Sequence, residues 1–178
     1  MYNMVIVQLI GAIAYILLSR SYFKKERREI LFMQIFAYVF FTIHYYLLNG
    51  ITGAICNVVG LASLISLFIF DKGKKMYKII CCIFFVTFLI VINIITFQNI
   101  FSIFPMIASV IAIASFLNKK ENFIRRVGVV ATLCWLIYAI YYKSYISIIF
   151  EVFTLINVCV ALLKNTKKSM KKVELDKK

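Results

Sequence analysis

ILFMQIFAYVFFTIHYYLLNGITGAICNVVGLASLISLFIF, residues 30–70, contains no lysine, arginine, aspartate or glutamate. The dipeptide Asn49-Gly50 divides it into two apolar runs, 30–48 and 51–70. A hydrocarbon core of roughly 30 Å is spanned by about 20 apolar residues in a helix. Each run is therefore long enough to cross a bilayer. A two-residue polar turn between them sends the chain back from the surface it has just reached.

The same reading extends to the whole chain. Its 178 residues are 63% apolar and 16% aromatic, with a mean hydropathy of +0.94. That composition belongs to membrane proteins rather than soluble domains. Seven spans are expected: 4–19, 30–48, 51–70, 77–97, 100–117, 127–142 and 145–163. They form one all-α polytopic domain over residues 1–164, followed by a basic tail at 165–178. The first span has neither a basic segment before it nor a small-residue cleavage site after it, so no cleavable signal is expected. Cys56, Cys81, Cys82, Cys134 and Cys159 lie inside apolar runs at spacings unlike a zinc site, and they read as packing residues.

The net charge is +14, and its placement argues for topology rather than nucleic-acid binding. Arg20, Lys24, Lys25, Arg27 and Arg28 fall in the first connection. Lys72, Lys74, Lys75 and Lys78 fall in the third, and Lys119, Lys120, Arg125 and Arg126 in the fifth. The tail carries the remainder. Lys143 is the one exception among 21 basic residues. Positive-inside asymmetry then puts the N-terminus outside and the C-terminus in the cytoplasm. The basic loops are placed to meet anionic lipid headgroups. Six of the seven acidic residues share the basic side; Glu151 alone lies within a span.

Internal symmetry is expected too. Spans one to three show a long basic loop and then a tight polar turn, Asn49-Gly50. Spans five to seven repeat this with Lys143-Ser144. An offset of about 94 residues superimposes spans two and three on six and seven, and about 97 superimposes one on five. Three helices end on the side opposite to their start, so a parallel repeat needs one extra crossing. Span four supplies it, with Asn93 as its main deep polar residue. The domain thus divides into a first bundle at 1–70, a linker helix at 77–97 and a second bundle at 100–164.

This three-plus-one-plus-three plan resembles the SWEET and PQ-loop transporters, a group that includes PnuC-type vitamin transporters. The proline-glutamine signature itself is absent. Gln8 has no proline before it, and Pro105 is followed by Met106. The segments YILLSRS (15–21) and HYYLLNGITGAICNVVG (44–60) resemble the YgjV family of bacterial inner-membrane proteins, which implies a bacterial cytoplasmic membrane.

Helical spacing gathers polar and small residues into stripes. Ser144, Ser147, Glu151 and Thr154 align on span seven, and Gly53, Asn57 and Gly60 on span three. Gly128, Thr132, Trp135, Tyr138 and Tyr142 align on span six. Gln34, Tyr38, Phe41 and His44 align on span two, and Gln8, Gly11, Tyr15 and Ser19 on span one. Polar residues face lipid at a cost, so the stripes are expected to meet at the bundle centre. The offset pairs Asn57 with Glu151, Phe41 with Trp135, and His44 with Tyr138. At about 1.5 Å per residue, Asn57, Glu151, Phe41 and Trp135 lie about 10 Å from the tight-turn ends. His44 and Gln8 sit nearer the outer mouth.

In SWEET-type transporters paired asparagines on helices three and seven hold the substrate near a tryptophan. Asn57 and Trp135 resemble that arrangement, which implies substrate contact. Glu151 replaces the second amide with an acid. It favours a cationic or amine-bearing solute, or proton coupling.

The expected function is movement of a small polar solute through a site formed by Asn57, Glu151, Trp135, Phe41, His44, Tyr138 and Gln8. One bundle would rock against the other, with a hinge at Pro105. The alternative is a membrane interaction or regulatory protein that transports nothing and whose central polar groups bond to one another. No enzyme is expected, since one histidine and one intramembrane acid build neither a zinc site nor a catalytic pair. No catalytic residue, metal or cofactor is assigned. The expected partners are the solute and lipid, and a homo-oligomer is compatible with the reading.

Overall fold

The computed structural model describes residues 3–21, 24, 26–69, 75–115, 121–157 and 159–160. The tail at 165–178 and loop positions 70–74 and 116–120, where several of the basic residues fall, lie outside them. All regular structure among the described residues is helical. It comprises α1 (Met4–Ser21), α2 (Arg27–Leu47), α3 (Ile51–Ile69), α4 (Lys75–Ile95), α5 (Ile103–Ser115), α6 (Glu121–Tyr141) and α7 (Tyr145–Asn157). A single 3₁₀ turn, Ile100–Ser102, leads into α5. Helices α1 to α4 are each long and apolar enough to cross a membrane. Helices α5 to α7 are apolar but shorter within the described residues.

Apolar length marks where a chain lies in hydrocarbon, whereas a helix ends where its hydrogen bonds end. α2 and α6 therefore start several residues before the apolar runs at 30 and 127, carrying Arg28 and Arg126. At that end the Arg28 guanidinium lies 4.9 Å from the centre of the Phe68 ring, and Lys24 pairs with Glu29 at 3.3 Å.

The two tight turns share one geometry. Asn49 has φ 61° and Lys143 φ 55°, the left-handed region that L-residues other than asparagine and aspartate rarely adopt. Leu48 N–H donates to His44 O, Asn49 N–H to Tyr46 O and Gly50 N–H to Tyr45 O. Displaced by 94 positions, Tyr142 N–H donates to Tyr138 O, Lys143 N–H to Ile140 O and Ser144 N–H to Ala139 O. Gly50 O and Ser144 O then accept the first bonds of α3 and α7.

α4 packs through Cys82, Phe85, Val86, Leu89 and Ile92 against Cys56 and Val59 of α3 and Ile113 of α5. Ile83, Phe84, Ile94 and Ile95 leave its other face exposed, as befits a helix against lipid. Asn93 is buried, and its amide donates to Leu89 O at 2.8 Å. Pro105 occupies the third position of α5, directly after the 3₁₀ turn. It stands in the first turn, where a missing N–H costs little, and not in a helix interior, where proline kinks arise.

Candidate functional site

Three glycines set how closely the helices approach. A Cβ on Gly11 of α1 would lie 2.7 Å from Ile146 of α7 and 2.8 Å from the His44 ring of α2. A Cβ on Gly53 would lie 2.5 Å from Tyr138, and one on Gly60 would lie 2.4 Å from Tyr38. Hydrogen at these positions lets α7 and α6 close onto α1 and α3.

Close approach at the tight-turn end produces a polar layer. Val7 O is only an acceptor, so His44 Nδ1 carries a proton and donates to it at 2.8 Å. His44 Nε2 lies 2.7 Å from Ser144 Oγ, which is 2.6 Å from Ser147 Oγ. The Gly53 N–H, which has no carbonyl partner in the first turn of α3, donates to the Tyr138 hydroxyl at 2.8 Å. Gln8 does the same for α7. Its Oε1 accepts from Ile146 N–H at 3.1 Å, and its Nε2 donates to Lys143 O at 3.2 Å. Thr52 donates to Ser102 Oγ at 3.0 Å. His44, Tyr138, Thr52, Ser144 and Ser147 have no exposed surface.

Beneath this layer lies a cavity of about 240 Å³. Asn57, Glu151, Trp135 and Phe41 all line it. His44, Tyr138 and Gln8 do not; they belong to the layer that closes it. Tyr15, Tyr38 and Tyr45 complete an aromatic wall. Leu18, Gln34, Ala112 and Ser115 carry the cavity to the ends of α1, α2 and α5 that adjoin the basic loops. Pro105 is buried away from it, in the first turn of α5.

Three polar groups at the cavity keep bonding capacity. Glu151 Oε1 accepts from the Tyr15 hydroxyl at 2.9 Å, and among the described residues this is its one hydrogen bond. Asn57 Nδ2 donates to Gly53 O of its own helix at 2.8 Å, which leaves Oδ1 without a donor among the described residues. The Tyr45 hydroxyl is the one fully buried side-chain polar atom among the described residues that makes no hydrogen bond. Placing an ionisable side chain at mid-span costs about 2.5–3.5 kcal/mol on insertion scales. Hydrogen bonds between membrane helices average about 0.6 kcal/mol and reach about 1.7. The Tyr15 bond therefore offsets only part of the cost of Glu151. A carboxylate kept at that cost needs a proton, water or a cation to complete it.

Tyr45, Leu18, Ala112 and Ser115 line the cavity without standing out in the sequence stripes. On α2 the cavity is lined by Gln34, Tyr38, Phe41 and Tyr45, at steps of four, three and four. The stripe Gln34, Tyr38, Phe41, His44 leads to His44, although Tyr45 continues the same face equally well.

No curated protein and no solved structure matches the chain. Residues 5–169 match the Imp-YgjV family, described as bacterial inner membrane proteins. That match, spanning all seven helices and agreeing with their apolar character, places the chain in the Imp-YgjV family of bacterial inner membrane proteins.

Proposed function

We propose that this protein moves a small polar solute across the bacterial inner membrane through the central cavity, by rocking of two triple-helix bundles about a linker helix. The observation that carries the reading is the meeting of Asn57 and Glu151 in one cavity with bonding capacity to spare. A protein whose central polar groups served only to join helices would have them satisfied by one another. The three-plus-one-plus-three arrangement is supported by the two turns whose hydrogen bonds match at an offset of 94. Reciprocal crossing contacts support it as well. His44 of the first bundle reaches the second turn, and Tyr138 of the second reaches the first helix after the other turn.

In this reading the polar layer is a closed gate at the tight-turn end, and the cavity communicates with the basic end. The asymmetry of basic loops makes the closed end external and the open end cytoplasmic. Alternation would break the His44–Ser144 and Tyr138–Gly53 contacts, with the junction before Pro105 as a pivot. Basic loops would rest on anionic headgroups.

A thermal-shift screen of small polar solutes on purified protein tests the proposal. A ligand that binds the folded state alone raises apparent stability by about 2.7 kcal/mol at a hundred times its Kd. At least one solute should give a saturable shift that Glu151→Gln and Asn57→Ala both lose while melting near the wild-type temperature. Shifts identical in all three proteins would remove these residues from the site.

A further inference from the structure

The cavity wall has a composition that selects among solutes. Tyr15, Tyr38, Phe41, Tyr45 and Trp135 surround it together with one carboxylate, Glu151. Among the described residues no lysine, arginine or histidine lines it, and the ion pair Lys24–Glu29 is remote from it. Among the described residues the site is thus rich in π-electron density and carries one acid with no basic partner. Aromatic rings attract cations electrostatically, most strongly where water is excluded, and they are the common means of holding quaternary ammonium groups. A magnesium or calcium ion instead takes about six or more oxygen ligands, which a mostly aromatic wall does not supply.

Resting on the central-site reading above, we infer that the cavity binds an organic ammonium ion: Glu151 pairs with its charge, and the aromatic wall packs against its alkyl substituents. Size restricts the ligand further. Drug-sized sites run from about 300 to 1,000 Å³, and about 240 Å³ suits a substituted amine of a few carbons. Asn57 Oδ1 and the Tyr45 hydroxyl, both without partners among the described residues, are placed to recognise a polar substituent on the same molecule.

The chain contains one tryptophan, and it lines the cavity, so Trp135 emission reports occupancy directly. Purified full-length protein in detergent would be titrated with tetramethylammonium chloride. Sodium chloride controls for ionic strength, and tert-butanol is the neutral molecule of similar shape. Tetramethylammonium should change Trp135 emission saturably, and the two controls should not. Glu151→Gln should weaken the apparent affinity at least tenfold. Phe41→Leu, which keeps the carboxylate and an apolar wall, should weaken it about threefold or more, so the test survives poor folding of either variant.

An ammonium carried by a lipid headgroup shares this chemistry. In vesicles of phosphatidylglycerol, adding phosphatidylethanolamine leaves the affinity unchanged if the natural ligand is a free solute and weakens it if that headgroup competes. Both results support ammonium recognition and differ only in its source. If a neutral polyol such as glycerol gave a saturable response dependent on Asn57 and tetramethylammonium gave none, the ammonium assignment would be wrong while the central site stood. A response to tetramethylammonium that is equal in wild type and Glu151→Gln would also overturn the assignment.

Discussion

Gly53 and Gly128 predict opposite outcomes for the same substitution. Alanine at 53 drives a methyl group to 2.5 Å from Tyr138 and displaces the ring whose hydroxyl serves the start of α3. Overpacking of this kind costs about 1–3 kcal/mol. Alanine at 128 meets nothing within 4 Å and replaces the poorer helix former, a gain of up to about 1 kcal/mol. Melting curves should place Gly53→Ala well below wild type and Gly128→Ala at or above it; the reverse order would mean that α3 and α6 do not pack as described. Residue chemistry was legible where it is rare. A lone intramembrane acid identifies itself, and the offset then singles out Asn57 as its counterpart. Tyr45 was not legible, because one tyrosine among 11 carries no mark of which face it takes. Gln8 and His44 were legible as inward-facing but not as caps and ties, since those roles depend on a turn 135 residues away in one case and 100 in the other.

At the scale of elements, apolar length and turn chemistry place nearly every helix. They fail where charge continues a helix beyond the hydrocarbon, as at the start of α6. They also fail at 100–102, where a 3₁₀ turn precedes the α-helix and moves Pro105 from the interior to the first turn. The two left-handed turn residues offer a test. Lysine pays a steric cost of about 1–2 kcal/mol in that conformation, which asparagine largely escapes. Lys143→Asn should therefore raise stability by a few tenths to about 1 kcal/mol, and Asn49→Ala should lower it by a similar amount. An unstable Lys143→Asn protein, measured by thermal melting, would contradict the shared turn geometry. The same change removes the one basic residue on the tight-turn side, so it leaves the orientation intact.

For the whole molecule, the proposed transport requires a cavity open at the basic end and shut at the tight-turn end. Among the described residues, polar contacts between the two halves gather at the tight-turn end, apart from Tyr15–Glu151 at the cavity itself, whereas Gln34, Ala112 and Ser115 carry the cavity toward the basic end. Alternation needs that imbalance to reverse. The order of apolar helices and tight turns was legible from the alternation of basic and tight connections; the polar layer was not, because it depends on side chains brought together from α1, α2, α3, α6 and α7. The most direct measurement places a cysteine at Ala112, on the cavity wall, in a protein whose five native cysteines have been replaced. A membrane-impermeant thiol reagent is then applied to vesicles of each orientation. Ala112→Cys should label from the cytoplasmic, basic-loop side. Little labelling should occur from outside until His44→Ala removes the tie to Ser144. A cysteine at 112 that reacts from neither side, or only from outside, would contradict the central claim of a cavity open to the basic end beneath a closed outer gate.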